Sequence, residues 1–253
     1  MSVTAILSAL PEEQHGLIEQ LVDPVRIVRA GREFWRGERQ GQPVVLALSR
    51  VGKVAAATTA TTLIEAFGVS RVVFTGVAGG VGPGVQVGDV VLATGFVQHD
   101  MDASPLFPRY EIPLSGRANW PCDDSLSALL LKAAHQGLTG AEGEFASHAR
   151  YGNAQIHSGM IATGDQFVCS ASAALQLVND LTVAGMPPLA VEMEGAAVAQ
   201  VCADYGVPFA AVRTISDRAD DQAHVDFPAF VAEVASPYAR AIVHQLMDLL
   251  SLQ

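Results

Sequence analysis

The chain has 253 residues, half of them apolar and 16% charged, which is enough for one sizeable core and ordinary for a single α/β domain. Its net charge of −11 argues against nucleic acid or an anionic membrane surface as the main partner, since both require clustered Lys and Arg. No apolar run approaches the roughly 20 residues of a membrane span. The start of the chain reads as a strand rather than a signal peptide, and the three cysteines, Cys122, Cys169 and Cys202, fit reduced thiols in a cytoplasmic protein.

The first predicted strand, Val3 to Leu7, leads into Pro11-Glu12-Glu13 and a helix expected over Glu12 to Leu21. Acids at that position complement a helix dipole; alternatively, one of them activates water. The charged, alternating piece Arg26 to Gln40 predicts a hairpin turning at Gly37 or Gly41. After a strand over Val44 to Leu48, Gly52-Lys53 opens a helix running to Phe67. Its first amides could hold an anion, though a solvated Lys53 is as ordinary a reading.

A strand over Val72 to Thr75 is followed by the glycine-dense Thr75 to Gly84. Such backbone lets a ligand approach closely and can present N–H groups, or it is a plain turn. It matches neither the dinucleotide fingerprint nor a P-loop. Beyond a strand over Asp89 to Gly95, the long irregular stretch Val97 to Asp124 suggests a functional or interfacial loop. Within it, His99-Asp100-Met101-Asp102 lacks a second His or Cys nearby, so no metal is expected.

A helix over Leu126 to Gly137 and a strand over Gly159 to Thr163 come next. Phe167, just past that strand, could stack on a flat ring or pack in the core. A helix spans Ser170 to Asp180. The strand Leu189 to Glu192 then gives way to Met193-Glu194 and a helix over Gly195 to Tyr205, a turn that can bury one acid and aim the other into a cleft. The strand Phe209 to Thr214 ends at Ser216-Asp217, and a last helix covers Phe227 to Ser251.

Apolar strands alternating with Ala-rich helices predict one domain over residues 1–253. Its expected architecture is a three-layer α/β/α sandwich with a central, mixed, twisted sheet. The special residues sit near strand ends, at Glu13, Gly79, Phe167, Glu194 and Asp217, which is where an α/β sheet holds a ligand.

Val191-Glu192-Met193-Glu194, Gly52-Lys53-Val54-Ala55-Ala56-Ala57, Thr163-Gly164-Asp165 and Ile215-Ser216-Asp217-Arg218-Ala219-Asp220 occur in this order along nearly the whole chain. In combination, and with the tail Gln222-Ala223-His224 to Phe230, they resemble the nucleoside phosphorylase and nucleosidase superfamily, most closely its 5′-methylthioadenosine/S-adenosylhomocysteine nucleosidases. The resemblance implies hydrolysis of an adenine thioribonucleoside, with no cofactor and with a homodimeric assembly. It implies that Asp217 protonates the purine at N7, its pKa raised by burial, and that Glu13 activates water near Arg213. Glu194 would hold the ribose hydroxyls, Met193 would pack on the sugar and Phe167 would stack on adenine. The Val168 backbone would bond the base edge, Gly79 would lie beside the ribosyl group and Ser216 would orient Asp217. Against the family pattern, Val77 stands where a Ser is usual and Pro11 replaces an acid. The loop from Asp100 to Pro121, which in the family shapes the 5′ pocket across a dimer, is unusual. A phosphorylase, a futalosine-type hydrolase and a nucleoside-binding module without turnover are the competing readings.

Overall fold

A computed structural model describes residues 2–14, 16–139, 154–219 and 227–252. Gln222, Ala223 and His224 of the sequence motif lie outside them. Among the described residues ten strands form one mixed sheet: β1 (Thr4–Ser8), β2 (Val22–Arg29), β3 (Arg32–Arg39), β4 (Gln42–Leu48), β5 (Arg71–Gly80), β6 (Val90–Gln98), β7 (Asn119–Pro121), β8 (Ile156–Thr163), β9 (Pro188–Glu192) and β10 (Phe209–Asp217). The helices are α1 (Pro11–Gln14), α2 (Lys53–Phe67), α3 (Asp124–Thr139), α4 (Ala171–Val183), α5 (Gly195–Tyr205), α6 (Phe227–Phe230) and α7 (Ser236–Ser251).

Alternation along the strands divides the core. In β1, Ala5 and Leu7 join one apolar layer while Ile6 joins the other; in β5, Val72 and Phe74 oppose Val73 in the same way. The first layer packs against Ala56, Ala60 and Leu63 of α2 and Val198 and Cys202 of α5. The second meets Leu130 and Ala134 of α3 and Ile242, Val243 and Leu246 of α7. Each fully buried Leu, Ile, Val or Phe contributes about 1.5–3 kcal/mol relative to exposure. These are the helix layers expected on both faces.

The sheet order is β10-β6-β8-β9-β5-β1-β4-β3-β2, and β10 also pairs with β5. The strands β5, β10, β6, β8 and β9 therefore close on themselves, while β1, β4, β3 and β2 extend as an open wing. Strands β5 and β9 run antiparallel and meet only at Gly79–Val191 and Gly80–Ala190. That short overlap brings their C-terminal ends together.

Several boundaries differ from the sequence expectation. The helix expected over Glu12 to Leu21 is the single turn α1 and a 3₁₀ turn, Ile18–Gln20. Gly16, at φ +78°, separates them, because that conformation cannot continue a helix. The hairpin turns at Ala30–Gly31, and Gly41 serves the next turn into β4. Gly37 lies inside β3, where a Cβ would come within 2.8 Å of the Val22 carbonyl. β5 continues through the glycines to Gly80, so Gly76 to Gly80 are strand rather than turn. The strand expected to end at Gly95 runs to Gln98, and the irregular stretch after it contains β7, paired with β6. The last helix is divided: α6 passes through a π-helical turn, Val231–Ala235, into α7.

Candidate active site

A cavity of about 220 Å³ opens where β1, β5, β8, β9 and β10 end. Glu13, Gly79, Phe167, Val168, Met193, Glu194, Ser216 and Asp217 all line it. Eight of the nine residues singled out from sequence thus meet in one place. The ninth, Arg213, stands behind the wall.

Glu13 is 1% exposed and folds back over its own turn. One carboxylate oxygen accepts from the backbone N–H groups of Ala9 (2.7 Å) and Leu10 (2.9 Å), the other from Val77 N–H (3.1 Å). Burial raises its pKa, against these hydrogen bonds and the charge of Arg213. A Cβ at Gly76 would stand 3.0 Å from its Oε1, so a glycine leaves room for the carboxylate. Val77 lines the cavity and bonds Glu13 only through its main chain.

The pair Glu192 and Glu194 separates by role. Glu192 accepts from the N–H groups of Glu194 (3.1 Å) and Gly195 (2.8 Å), from the Thr163 hydroxyl and from Arg213 Nη2 (2.9 Å). Thr163 Oγ1 accepts in turn from Ala196 N–H (2.9 Å). These contacts satisfy the opening amides of α5, and a carboxylate is favoured at that end of the dipole. Glu194 Oε1 accepts from Gly52 N–H (2.9 Å) at the start of α2. Burial, and then the nearby charge of Glu192, push the Glu194 pKa up to about 8.

Asp217 closes β10 after a bulge between Ile215 and Asp217. Bulges re-aim side chains, and here the bulge lets the neighbours Ser216 and Asp217 both line the cavity. The Ser216 hydroxyl donates to Asp217 Oδ2 (2.7 Å), and Ala219 N–H donates to Oδ1 (2.7 Å). A Cβ at Gly79 would approach that Oδ1 to 2.9 Å, so the glycine gives the acid its place.

Arg213 is 1% exposed, stacks at 4.0 Å over the Phe74 ring and donates to the Phe74 carbonyl (3.2 Å). It reaches the cavity only through Glu192 and through its charge on Glu13 and Glu194.

The open amides expected at Gly52 and Lys53 are occupied by the protein itself. Gly52 N–H holds Glu194, and Lys53 N–H donates to Asp165 Oδ1 (2.8 Å). Lys53 Nζ pairs with Asp100 (2.6 Å) and donates to Gln98 (3.1 Å), while Asp100 accepts from Asp165 N–H (2.9 Å). This network ties the Phe167 loop to α2. His99 is partly buried, and burial lowers its pKa. Ala9, Leu10, Val51, Gln166 and Phe227 also line the cavity. Sequence reasoning missed them because residues of these types are as frequent in cores and surface loops.

The cavity is lined by carboxylates and apolar groups, with no Lys or Arg among its described lining residues. No helix among the described residues is long and apolar enough to cross a membrane.

The model of the phosphorylase superfamily matches residues 3–248. The chain is 34% identical to a 5′-methylthioadenosine/S-adenosylhomocysteine nucleosidase of Shewanella frigidimarina over 96% of this chain and 98% of that one. It is 35% identical to an aminodeoxyfutalosine nucleosidase of Helicobacter pylori over 95% and 97%. The solved 5′-methylthioadenosine/S-adenosylhomocysteine nucleosidase of Neisseria meningitidis, in complex with methylthio-immucillin-A, aligns with a TM-score of 0.85 at 30% identity, covering 98% of this chain and all of that one. The chain belongs to the phosphorylase superfamily, and within it to the nucleosidases.

Proposed function

We propose that this protein hydrolyses the N-glycosidic bond of an adenine 5′-thioribonucleoside, methylthioadenosine or S-adenosylhomocysteine, to adenine and a 5-thioribose. The observation that carries this reading is that Glu13, Glu194 and Asp217 face one cavity beside the half-exposed ring of Phe167. Departure of adenine leaves positive charge on the ribosyl ring. Asp217, oriented by Ser216, protonates N7 and makes the base a better leaving group. Glu194 holds the 2′ and 3′ hydroxyls, and its charge stabilises the developing cation. Glu13 takes a proton from the attacking water. Phe167 stacks on the base, the Val168 backbone bonds its edge, Met193 packs on the sugar and Gly79 lies beside it.

Electrostatics favour water over phosphate as the nucleophile. A phosphate dianion entering this cavity would give up its hydration with no Lys or Arg among the described lining residues to offset the cost. We further propose a homodimer, because Val51, Val54 and Phe167 leave apolar surface exposed at the cavity mouth and the start of α2.

The test is release of free base from methylthioadenosine, S-adenosylhomocysteine and aminodeoxyfutalosine, with and without phosphate. Adenine release from the first two without phosphate is expected. Strict phosphate dependence defeats hydrolysis in favour of phosphorolysis, and turnover of aminodeoxyfutalosine alone moves the substrate to that compound. Light scattering reads the dimer.

A further inference from the structure

A second cavity, of about 590 Å³, lies on the other side of α1. Glu13 faces the first cavity and its neighbour Gln14 faces this one; Val51 lines the first, Leu48 and Arg50 the second. Two arginines, Arg32 and Arg50, line it. Gln14 is 4% exposed, and its amide Nε2 is buried with no partner among the described residues. Arg32 Nε is likewise buried and unpartnered among them.

The two arginines are held open by main-chain carbonyls. Arg32 donates to Ala30 (3.1 Å) and Ala55 (3.3 Å), and Arg50 donates to Gly31. A carbonyl orients a guanidinium without neutralising it. Burial and the neighbouring charge of Arg50 lower the Arg32 pKa. Of the acids on the rim, Glu33 is taken by Arg26 and Glu19 is solvent-exposed. Arg50 itself sits at φ +62°, a left-handed conformation suited to glycine. Strain of this kind clusters at ligand sites.

We infer that this cavity is a second binding site, for the phosphate group of a small organic phosphate monoester. The two adjacent guanidinium groups of Arg32 and Arg50 match a dianion, whereas a carboxylate would compensate only one of the charges. The cavity is larger than an inorganic ion requires, and Trp35, Ile18 and Leu48 offer an apolar wall for an organic body. The inference stands independently of the nucleosidase reading, since it uses none of the carboxylates in the first cavity.

Isothermal titration of the full-length protein with ribose 5-phosphate and with inorganic phosphate tests it. Ribose 5-phosphate is expected to bind more tightly than inorganic phosphate. Arg32→Gln and Arg50→Gln are each expected to weaken both about ten-fold or more, while nucleoside turnover in Arg50→Gln stays at the wild-type rate. If Arg50→Gln does not fold, Arg50→Lys asks the same question, because it keeps the charge, loses the fork and should still weaken binding. Absence of binding to the wild type, or binding that survives both substitutions, overturns the site. Equal affinity for the two probes overturns the monoester assignment. Lost nucleoside turnover with phosphate binding intact bears on the proposed hydrolysis and leaves this site standing.

Discussion

Arg213 Nη2 lies 2.9 Å from Glu192 Oε2, with both side chains almost wholly buried at 1% and 3% exposure. A buried pair of this kind holds geometry more than it adds stability, and removing one member strands the other. Glu192 also gathers the opening amides of α5, directly before which Glu194 stands. The ion pair therefore braces the turn that carries Glu194. Arg213→Met is expected to lower unfolding stability by about 3–5 kcal/mol, read by urea denaturation. A loss under 1 kcal/mol would show that the pair is not the anchor described.

Asp217→Asn should keep affinity for a substrate analogue while kcat falls by about 10²–10⁴-fold, the usual range for a proton donor. The amide retains the shape and the Ser216 contact but has no acidic proton to give. Near-normal turnover would remove Asp217 as the acid.

Glu194 carries a pH signature. Its folded-state pKa, about 8, lies above its ordinary value of 4.5. The native state therefore binds the extra proton between those values, and this contribution to stability is complete below pH 4.5 and lost as pH rises through about 8. Glu13 is shifted in the same direction, so the comparison must be with Glu194→Gln. The melting temperature of the wild type should fall more steeply from pH 5 to pH 9 than that of the variant. Parallel curves would contradict the assignment. Ribose hydroxyls donating to this carboxylate favour its charged form, so nucleoside binding near pH 7 should release a proton, visible as a dependence of calorimetric heat on the buffer.

Gly79→Ala tests the closest approach in the site. The new Cβ would stand 2.9 Å from Asp217 Oδ1 and 3.0 Å from the Ala219 Cβ. The carboxylate or the strand must move, and displacement of a proton donor by about 1 Å costs on the order of 10²-fold in rate. Full activity in this variant would mean that Asp217 works from another position.

Lys53→Met removes the Nζ contacts to Asp100 and Gln98, leaving Asp165 tied to the start of α2 only through the main-chain N–H of residue 53. Lys53 is a positioning residue in this account, acting through the loop that bears Phe167. The expected result is a KM increase of about ten-fold with kcat changed little, since binding of the base is lost equally in ground and transition states. A fall in kcat with KM unchanged would place the lysine in the chemistry instead.

Much of this site was legible in the sequence because strand ends carry their own signals. An apolar run that stops at Glu192-Met193-Glu194 before Gly-Ala-Ala, or at Ser216-Asp217, marks a place where the backbone changes course with an acid exposed to the turn. The alternation of apolar runs and Ala-rich segments likewise fixed the helix layers. What the sequence could not state is partnership. Arg213 reads as a site residue beside Asp217, yet its guanidinium lies behind the wall on Glu192 and Phe74. Lys53 reads as open to an anion, yet the anions are Asp100 and Asp165, far along the chain. The closed ring of strands turns on two residue pairs between β5 and β9 and on β10 pairing with two neighbours. Local propensity ends within a few residues, whereas these contacts join residues from 21 to 139 positions apart, so only the folded chain decides which charges meet and which are held apart.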